Sequence, residues 1–79
     1  MVYLYVLKSL EDNGYYVGIS SNLEKRLLRH NKGGVRSTKT RKPFKLIYSE
    51  KFEDYIKARI REKEIKSYKG GNKFRDLIK

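Results

Sequence analysis

Tyr16, Arg26, His30 and Glu62 are the residues of this 79-residue chain whose types and spacing could do chemistry together. Arg26 and His30 are four residues apart, so on a helix they share a face, one turn apart. Just before them, YYVGI (residues 15–19) reads as a short strand, and Ser20-Ser21 as the turn into that helix. A strand-turn-helix would then deliver a tyrosine, an arginine and a histidine to one place. Glu62 lies far along the chain, in a second helical segment. At about 100° per residue, Tyr55, Ala58, Glu62 and Ile65 fall within one arc, the face expected to pack. A carboxylate there is costly unless it is paired or binds a metal. Two readings stay open: an ion pair with Arg59 or Lys66, or a metal ligand or general base. Each of the other residues also has an ordinary reading. The tyrosines at 3, 5, 15 and 16 could be plain strand aromatics, and His30 a cation at a helix C-terminus.

The charge narrows the substrate. Lys and Arg number 20 against 9 Asp and Glu, for a formal +11. From Lys25 to Ser49 there are nine Lys or Arg and no acidic residue. Such a surface favours a polyanion, most often nucleic acid. The basic stretch lacks the apolar face of a membrane-surface helix, and no apolar run approaches the roughly 20 residues of a span. Without cysteine there is no disulfide framework and no Cys-based zinc site, and one histidine excludes a histidine cage. The N-terminal MVYLYVLKSLED lacks a basic leader, so a cytoplasmic location is expected.

The elements that must position these residues follow in order. VYLYVL (2–7) reads as a strand. SLEDNG (9–14) is a turn ending in the hairpin dipeptide Asn13-Gly14, and residues 15–19 pair back. Ser21 as cap with Glu24 three residues on has capping-box spacing, and Gly33-Gly34 should stop this first helix. VRSTKTRK (35–42) has no periodicity and only positive charges, and is expected to be an exposed loop. FKLIYSEK (44–51) reads as a third strand, with Phe44, Leu46 and Tyr48 on one face. Asp54 is expected to cap a second helix from Tyr55 to about Lys69, ended by Gly70-Gly71. Residues 72–79 form a short third helix that packs Phe74, Leu77 and Ile78 inward. The expected fold is a single α+β domain over residues 1–79. It is a small three-stranded antiparallel sheet flanked by helices, in the order β-β-α-β-α-α.

Taken jointly, Tyr3-Leu4-Tyr5, Tyr16-Val17-Gly18, Asn22-Leu23-x-x-Arg26-Leu27 and Ala58-x-x-x-Glu62-x-x-Ile65-Lys66 resemble the GIY-YIG nuclease domain. The resemblance runs from Val2 to Ile78. It is closest to the small stand-alone branch, related to the nuclease domain of the bacterial excision-repair C subunit. Thr38-x-x-Arg41-x-Pro43-x-Lys45-Leu46 is similar to a stretch of that branch. Tyr3 stands where the first motif usually has glycine, and Ile19 where the repair branch carries lysine. Asn72 is a candidate for an asparagine that many members carry near the C-terminus.

The resemblance implies a metal-dependent endonuclease that hydrolyses phosphodiester bonds in DNA, by nicking or by structure-selective cutting, in repair or processing. The implied catalytic set is Tyr5, Tyr16, Arg26, His30 and Glu62. Glu62 would hold one divalent ion, Mg²⁺ or Mn²⁺, which needs few protein ligands. Arg26 would neutralise the scissile phosphate. Tyr16 would be the general base or orient the water. A free tyrosine titrates near 10, so its proton would need nearby cations or a relay through His30 or Tyr5. Gly18 would let backbone approach the phosphate. Lys25, Arg29, Arg36, Lys39, Arg41, Lys42 and Lys66 would hold nucleic acid through its phosphates, with any base specificity supplied by a protein partner. The alternative is a basic module of this fold, catalytically weak or inactive, that binds DNA or RNA.

Overall fold

The run VYLYVL belongs to β1 (Val2–Ser9), the middle strand of a three-stranded antiparallel sheet. Its neighbours are β2 (Tyr15–Ser20) and β3 (Phe44–Phe52), giving the spatial order β2-β1-β3. The computed structural model describes residues 1–79. After β2 comes α1 (Leu23–Asn31), and after β3 come α2 (Tyr55–Ser67) and α3 (Asn72–Leu77), the order expected from the sequence.

β1 is apolar at nearly every position because it is covered on both faces. Leu4 and Val6 pack with Ile65 of α2 and Phe74 of α3. Tyr5 and Leu7 point the other way and pack with Phe44, Leu46 and the α1 residues Leu23 and Leu27. The first helix and the last two therefore clasp the sheet from opposite sides. The hairpin joins Lys8 opposite Tyr15. Its turn closes on the Ser9 N–H, which donates to the Gly14 carbonyl at 2.8 Å, and Asn13 takes the left-handed conformation at φ 60°.

Several expectations needed correction. Asn22, not Ser21, caps α1: its Oδ1 accepts from the Lys25 N–H at 3.0 Å. Phe44, Leu46 and Tyr48 do not share a face. Val6 pairs with Tyr48 but Leu7 with Leu46, so Ile47 is an extra residue on β3. The bulge turns Phe44 and Leu46 toward α1, and Tyr48 toward the α2 side. On α2, Asp54 caps as expected, accepting from the Lys57 N–H at 2.9 Å. Ala58 and Ile65 are buried, but Tyr55 is exposed, so the packing arc is narrower than the helical projection indicated. Arg61 ties α2 to β3 through Glu50 at 3.0 Å and also pairs with Glu64.

The stretch 35–42 is not simply an exposed loop. It contains a single 3₁₀ turn, Lys39–Arg41, and its Thr38 is fully buried. Arg41 pairs with Asp12 at 2.8 Å, donates to the Tyr15 carbonyl and lies over the Phe44 ring. Ser9 Oγ donates to the Arg41 carbonyl at 2.6 Å. The loop is thereby stapled to the hairpin turn.

Candidate active site

Tyr5 and Gly18 face each other across β1 and β2, and Tyr16 lies two residues before Gly18 on the same face. α1 crosses that face and brings Arg26 and His30 onto it. Arg26 Nε donates to the Tyr5 hydroxyl at 3.3 Å, and the Tyr5 hydroxyl meets His30 Nε2 at 3.1 Å. The Tyr16 ring stands edge-on to the His30 ring, with centroids 4.9 Å apart, and its phenol also faces the Arg26 guanidinium. Phe44 closes the far side of the imidazole at 5.8 Å. Tyr16, Arg26, Tyr5 and His30 are therefore one cluster.

Proton positions follow from the donors. Arg26 Nε can only donate, so the Tyr5 oxygen accepts from it, and the Tyr5 O–H needs an acceptor of its own. The acceptor in reach is His30 Nε2, which must then be unprotonated. The other ring nitrogen, Nδ1, lies 2.8 Å from Thr38 Oγ1 and is free to carry the imidazole proton. Thr38 O–H donates in turn to the Val35 carbonyl at 3.3 Å. Every buried side-chain polar atom has a partner.

The electrostatics agree with a neutral imidazole. Burial, with Arg26 and Arg29 nearby, depresses the His30 pKa from 6.5 to about 4. His30 is thus not the exposed helix-end cation of its ordinary reading. A buried, reluctant base is also a poor store for a catalytic proton near neutral pH, so this environment favours an orienting role over the relay. Burial raises the Tyr5 pKa, opposed by the Arg26 hydrogen bond and aided by the charge of Glu62. Tyr5 is therefore held as a phenol. Since unfolded His30 takes up a proton from about pH 6.5 downward and folded His30 only near 4, the unfolded state binds more protons in that window. Stability is expected to fall as pH drops from 6.5 to 4, and His30→Gln should flatten that part of a thermal-unfolding pH profile.

Gly18 has a reason other than phosphate approach. A Cβ there would lie 2.5 Å from the Tyr5 hydroxyl oxygen and 2.6 Å from its Cζ. The Tyr5 ring occupies the space that a side chain would need.

No carboxylate pairs with Arg26; the ion pairs of the chain involve Arg41, Lys57, Arg61 and Lys66. A half-buried guanidinium between two phenols, without a counter-anion, is a place for an anion to bind. A groove along α1 runs past it, lined by Ser20, Asn22, Lys25, Arg26, Arg29 and Lys32. A second groove, between β2 and α2, includes Tyr15, Tyr16, Lys66 and Lys69. Lys25, Arg29, Arg36, Lys39 and Lys42 are exposed and unpaired by acids, whereas Arg41 is committed to Asp12 and the hairpin turn.

Glu62 has a side chain only 17% exposed and pairs with Lys66 at 3.2 Å, so the ion-pair reading is realised. Its charge still reaches Tyr5. No group of three His, Cys, Asp or Glu could cage an ion. One carboxylate could give an ion a single protein ligand, which suits an ion that keeps most of its waters, as Mg²⁺ does, rather than one that needs a full protein cage. Asn72 is exposed at the start of α3 and bonds to none of these residues. Sequence reasoning gave Thr38 no chemistry, and Lys32 and Lys69 were also passed over. Their signal was spacing: Lys32 lies i+3 from Arg29, and Lys69 i+3 from Lys66.

Residues 1–75 match the profile described as the GIY-YIG catalytic domain. Among curated proteins, the UPF0213 protein of Staphylococcus haemolyticus is 43% identical over 67 residues, covering 84% of this chain and 80% of its own. The UPF0213 protein of Clostridium perfringens is 46% identical over 67 residues, with 84% and 71% covered. The solution NMR structure of the UPF0213 protein from Bacillus halodurans superposes with a TM-score of 0.61 at 29% identity, over 99% of this chain and 83% of that one. No helix is long and apolar enough to cross a membrane. With a family match over almost its whole length, and with relatives and a solved structure that share its size and fold, this chain belongs to the GIY-YIG family, alongside the small UPF0213 proteins.

Proposed function

We propose that this protein is a metal-dependent endonuclease that hydrolyses phosphodiester bonds in DNA, nicking one strand per binding event, in repair or processing. The observation that carries the reading is the Arg26 guanidinium, unpaired by any acid and hydrogen-bonded to Tyr5, in a groove along α1 that also carries Lys25, Arg29 and Lys32.

Each residue then has a task. Exposed Lys25, Arg29, Arg36, Lys39 and Lys42 hold the strand by its phosphates. Arg26 receives the scissile phosphate and offsets the charge that builds on its oxygens. Half-buried Tyr16 orients the attacking water, whose proton leaves to solvent. The water oxygen bonds to phosphorus as the bond to the 3′ oxygen breaks, and the leaving oxygen takes a proton from solvent, giving a 3′ hydroxyl and a 5′ phosphate. Tyr5, fixed by His30, holds Arg26 through Nε. Glu62 is the residue that would hold a divalent ion, after releasing Lys66, and when bound that ion supplies charge neutralisation at the phosphate and the leaving oxygen.

Two outcomes test this reading. Wild-type protein with Mg²⁺ or Mn²⁺ is expected to nick supercoiled plasmid or branched oligonucleotides, EDTA should stop it, and the nicks should be sealable by a ligase that needs 3′ hydroxyl and 5′ phosphate ends. Binding without cleavage on plasmid, branched and single-stranded DNA would overturn it in favour of a binding module. Separately, Lys25→Ala and Arg36→Ala should each lower the slope of log affinity against log salt by about 1, without changing sequence preference.

A further inference from the structure

We propose that Thr38 is a positioning residue of the site: its hydroxyl holds His30 in the Nδ1–H tautomer, so that Nε2 takes the Tyr5 O–H and the Tyr5 oxygen is left to accept from Arg26. For activity, the inference rests on the nuclease reading; for the state of the imidazole, it stands without it.

The chain of bonds is continuous and fully buried at its core. Thr38 and His30 are both 0% exposed and Tyr5 is 2% exposed, so no solvent molecule substitutes for a missing partner without opening the packing. Thr38 Oγ1 lies 2.8 Å from Nδ1, and its own proton is directed to the Val35 carbonyl. That leaves an oxygen lone pair, and not a proton, facing the ring. The tautomer set at Nδ1 fixes the direction of the hydrogen bond at Nε2, 3.1 Å from Tyr5. With the Tyr5 proton turned toward the ring, its oxygen presents lone pairs to Arg26 Nε at 3.3 Å. The guanidinium is anchored through Nε, and no hydrogen bond or ion pair within the chain engages its terminal nitrogens. A tautomer flip would instead aim Nε2–H at the Tyr5 oxygen. The phenol proton would then be left without an acceptor and would compete with Arg26. Thr38 itself touches no substrate. It stands in the basic loop between Arg36 and Lys39, and so links the segment that grips the strand to the residue that meets the phosphate.

Because His30 is the only histidine, its ring nitrogens give one unambiguous NMR signature. Two-bond ¹H–¹⁵N spectra of wild type at neutral pH are expected to show the Nδ1–H form alone. Thr38→Val keeps the shape but removes the acceptor, and should give an Nε2–H form or a mixture. Thr38→Ser should restore the wild-type pattern. Cleavage at saturating substrate should fall on the order of tenfold in Thr38→Val and recover in Thr38→Ser. An Nε2–H ring in wild type would overturn the proposal without any variant. So would an unchanged tautomer in folded Thr38→Val, or a Thr38→Ser protein that fails to restore it. If wild type cuts nothing, the ring spectra still decide the proposal, while the nuclease reading fails separately.

Discussion

Arg26→Ala is expected to slow cleavage by about 10²–10³-fold while the protein stays folded. Arg26 lies half-buried on α1 and is not a core residue, so its loss removes one hydrogen bond to Tyr5 and no packing layer. What disappears is the cation proposed to meet the phosphate. Arg26→Lys should recover little. An ammonium cannot be anchored by Tyr5 through one nitrogen while presenting a planar pair of donors to a phosphate. Single-turnover rates at saturating DNA measure the effect. A rate within tenfold of wild type would mean that another cation, such as Arg29, carries the phosphate.

Gly18→Ala is expected to be the most damaging single-methyl change in the chain. The added Cβ would meet the Tyr5 hydroxyl at 2.5 Å and Cζ at 2.6 Å. Tyr5 cannot retreat, because it is buried between β1, α1 and Phe44 and bonded to both Arg26 and His30. Overpacking of this kind costs about 1–3 kcal/mol. In a domain of this size that lowers the melting temperature by roughly 5–20 °C. Activity should fall as well, since Tyr5 can move only by releasing Arg26. Tyr5→Phe in the same chain should give little rescue, because Cζ remains in the way. Thermal unfolding of Gly18→Ala within 2 °C of wild type would show that the sheet and ring accommodate the methyl freely.

The elements were legible because each was marked by a local signal. Asn13-Gly14 closes the hairpin, Asp54 caps α2, and Gly33 ends α1 with φ 79°, as a helix-terminating glycine should. The continuous apolar run of β1 corresponds to a strand covered on both sides. Apart from the α1 cap, which a residue two positions away decided, the misreadings arose where a long-range partner decided. Ser21 and Asn22 are both good caps, and Ser20 settled the choice by accepting from the Asn22 N–H and positioning it. The bulge at Ile47 depends on the pairing with β1, which no local pattern on β3 encodes. Arg41 reads like its basic neighbours, and only Asp12, 29 residues away, sets it apart.

At the site, Tyr16, Arg26 and His30 were legible from strand and helix spacing. The burial of His30 was not, because the polar loop that covers it supplies Thr38 from a stretch without periodicity. Gly18 was singled out for phosphate approach, whereas the demand the structure shows at that position is steric. Its demand comes from a ring on the next strand, and cross-strand register is invisible in a single sequence. Of the two readings of Glu62, the ion pair is the one realised, with Lys66.

The most direct measurement is the nicking rate of supercoiled plasmid with Mn²⁺ or Mg²⁺ for wild type, Tyr16→Phe and Glu62→Ala, prepared side by side. Each variant should be shown to be folded by the single His30 ring signal. The account predicts conversion to nicked circle by wild type, loss of at least 10²-fold in Tyr16→Phe and no metal-dependent conversion by Glu62→Ala. Metal-dependent nicking that persists at the wild-type rate in both variants would contradict it.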